Sequence, residues 1–193
     1  LTWLWSQKVM RSVVLISGSL SFVITASVLI VLAIVQQQHI PSAFYGLIVA
    51  AGGVGNLLGA ALCPLILRRM RFGSVLSGVL IVFALLWPFY GFITTPLLLG
   101  VVFAGIAIFD SIGAIFMSSY RLAVVPDALQ GRVSGVYRLI LFSVLTIGPS
   151  ALGLSLEHLG VWPTVGIVWS GLLLITGFML VNRRMRQATL PQM

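Results

Sequence analysis

Six apolar runs, each long enough to cross a bilayer, leave this chain little choice of fold. They cover residues 12–35, 43–67, 74–94, 96–118, 133–156 and 162–182. A spanning helix needs about 20 predominantly apolar residues. Only helices and closed barrels satisfy their backbone hydrogen bonds in lipid, and barrel strands are shorter, about 9–11 residues, with alternating polarity. These runs are longer and do not alternate. The expected fold is therefore an all-α membrane protein with six transmembrane helices. Composition agrees: charged residues make up 7% of the 193, against roughly 25% in a soluble domain.

The net charge of +8 does not point to nucleic acid, because the basic residues are short clusters between apolar runs. Lys8 and Arg11 precede the first run, and Arg68, Arg69 and Arg71 follow the second. Arg121, Arg132 and Arg138 flank the connection between the fourth and fifth, and Arg183, Arg184 and Arg186 follow the sixth. All eleven fall on one side of a six-span chain. The connections of the other side carry His39 and Glu157 and no Lys or Arg. The positive-inside rule then expects both termini in the cytoplasm.

Several chemistries are missing. Cys63 is the single cysteine, so it has no internal disulfide partner and no metal-ligand companion. His39 and His158 are isolated, and no metal or cofactor is expected. Ser134 and Ser150 have no histidine in a neighbouring span, so no nucleophile-and-base pair is available and no catalytic residue is assigned.

The spans differ in character. The first carries Ser17, Ser21 and Thr25, spaced by four and so aligned on one helix face; the stripe either lines a cavity or bonds its own helix carbonyls. The fourth carries Asp110, the one carboxylate inside an apolar run. A charge at mid-bilayer costs at least about 2.5–3.5 kcal/mol and by default marks a pathway or needs a partner. Asp110 is thus either a proton-coupling or cation-binding group or a packing carboxylate held by a neighbouring helix. The second span is glycine-rich, with Gly46, Gly52, Gly53, Gly55 and Gly59, and Gly55 and Gly59 form a GxxxG pair around Asn56. Asn56 is read as a polar clasp between helices or a substrate contact. The fifth has Gly135, Gly148, Pro149 and Gly153. Small residues let membrane helices approach closely. Arg138 either snorkels to the surface or pairs with Asp110 or an absent partner. The third and sixth spans have no charge and read as lipid-facing.

The order polar, glycine-rich, greasy therefore occurs twice. A three-helix unit in two inverted copies is a transporter signature. At this point the chain resembles the C-terminal six-helix half of a major facilitator superfamily transporter. The resemblance implies that the first and fourth helices line the substrate cavity, the second and fifth contact the other half, and the third and sixth face lipid. Residues 55–73, GNLLGAALCPLILRRMRFG, are similar to the family's loop after the second helix, through Arg68, Arg69, Arg71 and Gly73; Ile66 and Leu67 stand where that motif carries an acidic residue. Residues 121–138, RLAVVPDALQGRVSGVYR, resemble the VPxxxxGRVSG stretch of drug and siderophore exporters of the macrolide-efflux and enterobactin-exporter type. There Pro126 ends one helix, Asp127 caps the next, Gly131 permits close packing and Arg132 anchors the surface. Gly148-Pro149, with Gly153, resembles the GP motif of exporters or simply kinks the helix.

Residues 1–193 are thus expected to form one half domain whose N-terminal half is missing, since the chain begins at Leu1. The resemblance implies proton-coupled efflux of a small amphipathic molecule across the plasma membrane (the bacterial inner membrane), with protons, the bilayer and the other six-helix half as partners and no nucleic acid. The alternative is a non-transporting six-helix scaffold or receptor-like module.

Overall fold

The computed structural model describes residues 8–70, 72–93 and 95–181, with side chains from residue 16 onward except at 68, 69 and 128. Seven helices lie among them: α1 (Lys8–Gln37), α2 (Ser42–Arg69), α3 (Phe72–Leu86), α4 (Phe89–Phe92), α5 (Pro96–Val124), α6 (Asp127–Leu159) and α7 (Val161–Val181). No strand occurs among the described residues. Among the described residues six spans are long and apolar enough to cross a membrane, because α3 and α4 together make the third, Phe72–Phe92. The chain is a multi-pass helical membrane protein.

Proline and glycine set the breaks. Pro41 precedes α2 and Pro96 opens α5, a position where the missing N–H would have no helical partner anyway. Pro126 separates α5 from α6. Gly160, between α6 and α7, has φ +83°, a conformation open to glycine and strained for residues with a β-carbon.

Three boundaries differ from the sequence reading. α5 runs to Val124, six residues past the expected end. Hydropathy falls after Met117, but nothing stops the helix before Pro126 bars the helical conformation at Val125. Its 29 residues span about 43 Å, more than the roughly 30 Å hydrocarbon core. α6 likewise begins at Asp127. The third span is interrupted at Trp87-Pro88. Proline has no N–H to give the carbonyl four residues back, here that of Ala84. That carbonyl instead accepts the Trp169 indole N–H at 2.8 Å. Trp87 answers in kind, donating its indole N–H to the Val165 carbonyl of α7 at 3.1 Å.

The third span exposes one apolar face, through Ile81, Leu85, Phe89 and Phe92, and buries most of the rest of its surface in the bundle. Of its most apolar 18-residue stretch, 56% is buried, against 28% for the second span and 11% for the fifth. Leu76, Leu80, Phe83, Trp87 and Tyr90 are fully enclosed and pack with Ile30 of α1, Leu99 and Phe116 of α5 and Leu172 of α7. Apolar content measures compatibility with lipid and does not say which helix a neighbour covers.

The tightest seam joins α2 to α5. A β-carbon added at Gly55 would run into the Ala104 carbonyl, one at Gly59 into the Ile108 carbonyl, and one at Gly52 into the Phe103 ring. Here the glycines do what their spacing predicts, bringing two backbones together. α1 packs mainly on α6, where Gly18 faces Val144 and Gly148 faces the Phe22 ring. Pro149 lies inside α6 without ending it. Gly131, Gly135 and Gly153 have open space where a β-carbon would go, so the close packing expected at Gly131 is not made by the described residues. Asp127 does not cap α6. The capping position belongs to Pro126, and Asp127, already in the first turn, accepts a hydrogen bond from Gln130 Nε2 at 2.9 Å. Its charge there still favours the helix N-terminus.

Candidate functional site

On α5, residues 106, 110, 113 and 117 share a face by their three- and four-residue spacing. A β-carbon on Gly113 would meet Leu20 of α1 and Val79 of α3 at 3.9 and 3.5 Å. Met117 Sδ accepts a hydrogen bond from Ser17 Oγ of α1 at 3.1 Å. The pairs 17 with 117 and 20 with 113 run in opposite directions, so α1 and α5 are antiparallel. Stepping seven residues back from Met117 puts Asp110 level with residue 24 of α1, between Ser21 and Thr25. The two polar features that the sequence singled out in separate spans thus lie at one depth.

Asp110 is half-buried and has no hydrogen-bond or ion-pair partner among the described residues. The elements packed on α5 offer no counter-charge at its depth. Between residues 16 and 37, α1 carries hydroxyls and glutamines but no charge, and α3 has none anywhere. α2 has only Arg68 and Arg69 in its last turn, and α6 has Arg132 and Arg138 near its start, both exposed. A packing carboxylate tied to a neighbouring helix would have a donor; this one lacks it.

The stripe on α1 divides. Ser17 is buried and tied to Met117, whereas Thr25 turns back on its own helix and donates to the Ser21 carbonyl at 2.9 Å. Asn56 is exposed and makes no hydrogen bond among the described residues, so it clasps no helix there. Arg71 and the side chains of Arg68 and Arg69 lie outside the described residues. Gly73 is buried in the first turn of α3. Arg121 lies over the Tyr137 ring, 4.2 Å from its centroid, tying the end of α5 to α6 by a cation–π contact.

Two cavities flank the bundle without reaching Asp110. One of about 560 Å³ lies between α1, α6 and α7. One of about 270 Å³ lies between α2 and α5 near Phe44 and Leu97. A shallow groove follows the bare face of α6 past Arg138, Phe142 and Thr146. Among the described residues no cluster of His, Cys, Asp and Glu is gathered that could hold a metal ion.

Sequence reasoning missed the paired indoles of Trp87 and Trp169 and the hydroxyl bridge between Ser155 and Thr164 at 2.8 Å. The signal for the first was Pro88, which frees a carbonyl inside an apolar span. No family model matches the chain, and no curated protein matches it in sequence.

Proposed function

We propose that the chain is one six-helix half of a major facilitator-type secondary transporter, an exporter of small amphipathic molecules coupled to protons through Asp110. The observation that carries this reading is the carboxylate itself: the one acid in an apolar span, without a partner, level with the hydroxyl face of α1. An ionised carboxylate there is expensive. A proton or a cationic group of the cargo removes the cost, and exchange between the two couples their fluxes.

Helix pairing supports the half-transporter architecture. The second span packs on the fourth and the first on the fifth; the third packs on the fourth and the sixth on the first; the third also packs on the sixth. Exchanging first with fourth, second with fifth and third with sixth maps these pairs onto one another, in keeping with two inverted three-helix units, although the packing of the fifth on the sixth and of the first on the second has no counterpart of like extent. The glycine-rich second and fifth spans are the least buried, which leaves a face for a second six-helix half. Alternating access then rocks one half against the other around a site near mid-bilayer. The basic ends face the cytoplasm by the positive-inside rule.

The test is transport by the full-length transporter in vesicles with an imposed pH gradient. Asp110→Asn keeps the side-chain shape and removes the titrating group. Gradient-driven export falls to background in the variant while protein level and thermal stability stay unchanged. Unaltered export with an unaltered pH profile rejects the coupling role.

A further inference from the structure

The cavity between α1, α6 and α7 plays no part in that reading. One end is lined by the hydroxyl bridge, in which Ser155 donates to Thr164 and Thr164 to the Gly160 carbonyl, each at 2.8 Å. From there it follows α7 from Thr164 to Ile175, about 16 Å at 1.5 Å per residue and so roughly half the hydrocarbon thickness. Its walls are apolar: Gly18 and Phe22 from α1, Ala151 from α6, Val168, Gly171 and Leu172 from α7. Three hydroxyls touch it, from Ser19, Ser155 and Thr164, and none is free.

Such a space suits neither water nor a polar ligand. A water molecule needs two to four polar partners to settle in a cavity, and this one offers only three hydroxyls, each already engaged in a hydrogen bond or other contact, and no charge. Its walls belong to membrane spans, so the medium beside it is hydrocarbon. It is tall and narrow, running along the helices. We propose that this slot binds one acyl chain of a membrane phospholipid, taken up sideways from the bilayer. The inference rests on the membrane-spanning fold and the cavity, and not on transport.

The probe is phosphatidylethanolamine with a diazirine near the end of one acyl chain, mixed into vesicles holding the full protein. After irradiation, adducts are mapped by mass spectrometry. Val168 and Leu172 line the slot and are 5% and 1% exposed, so bulk lipid does not reach them. Leu174 and Phe178, 75% and 59% exposed on the same helix, report ordinary lipid contact. Gly171→Leu fills the slot, whereas Gly166→Leu adds the same side chain outside it; a β-carbon at either glycine meets nothing within 4 Å. Adducts on Val168 and Leu172 are expected in the parent and in Gly166→Leu and are lost in Gly171→Leu, with labelling of Leu174 and Phe178 unchanged. Ala151→Leu, filling the slot from α6, gives the same loss if Gly171→Leu does not fold. Labelling confined to Leu174 and Phe178 in the parent, or equal labelling of Val168 and Leu172 in every variant, overturns the proposal. Because no flux is measured, the outcome is independent of whether Asp110 couples protons.

Discussion

At Gly55 and Gly59 the backbone of α2 meets the Ala104 and Ile108 carbonyls of α5 with only hydrogen in between. A carbonyl held in a helix cannot yield as a flexible side chain can. Gly59→Ala therefore destabilises the bundle by about 1–3 kcal/mol, the range for overpacking, whereas Gly153→Ala, open on every side, leaves it unchanged. Thermal unfolding in detergent distinguishes the two. The GxxxG spacing made the close approach legible in the sequence, but its partner strip on α5 was not, because Ala104, Ile108 and Ser111 have no distinctive chemistry. The exposure of Asn56 was hidden in the sequence for a related reason. One residue along a helix turns the side chain by about 100°, which suffices to take it from beside a glycine contact to an exposed face. Asp110 was legible because a carboxylate in an apolar run is conspicuous; its lack of a donor became visible only once the neighbouring helices were in place.

Among the elements, the third span and α7 are joined by the most specific polar contact. Trp169 replaces the bond that Pro88 takes from the Ala84 carbonyl. Trp169→Phe leaves that carbonyl without a donor at a cost of about 1–2 kcal/mol, in the range measured for orphaned buried acceptors and for hydrogen bonds between membrane helices. Pro88→Ala restores an N–H that can serve the same acceptor. The double variant therefore loses less than the sum of the singles, and a double-mutant cycle on unfolding free energies detects the difference. Purely additive losses refute this role for Trp169. Hydropathy located all six spans, since length and apolarity are what a bilayer selects. It missed the break at Trp87-Pro88 because a window average carries no information on backbone hydrogen bonds. It ended the fourth span too early because a helix outlasts its apolar stretch until a residue such as Pro126 forbids it.

For the molecule as a whole, orientation is the property easiest to test. The positive-inside reading places Gln38 outside and Gln130 in the cytoplasm. With Cys63 replaced by serine, a cysteine at Gln38 reacts with a membrane-impermeant maleimide in intact cells. A cysteine at Gln130 reacts only after permeabilisation. The reverse result inverts the topology. The exchanged indoles limit how the third span and α7 can move against each other. Each tryptophan donates to the backbone of the helix that carries the other, so a slip of one residue, about 1.5 Å, breaks both bonds together. That pair of helices behaves as a welded joint rather than a sliding bearing. In the proposed transport cycle, displacement within this half is expected to fall on the sparsely covered α6, leaving the third and sixth spans as the fixed frame against which it is measured.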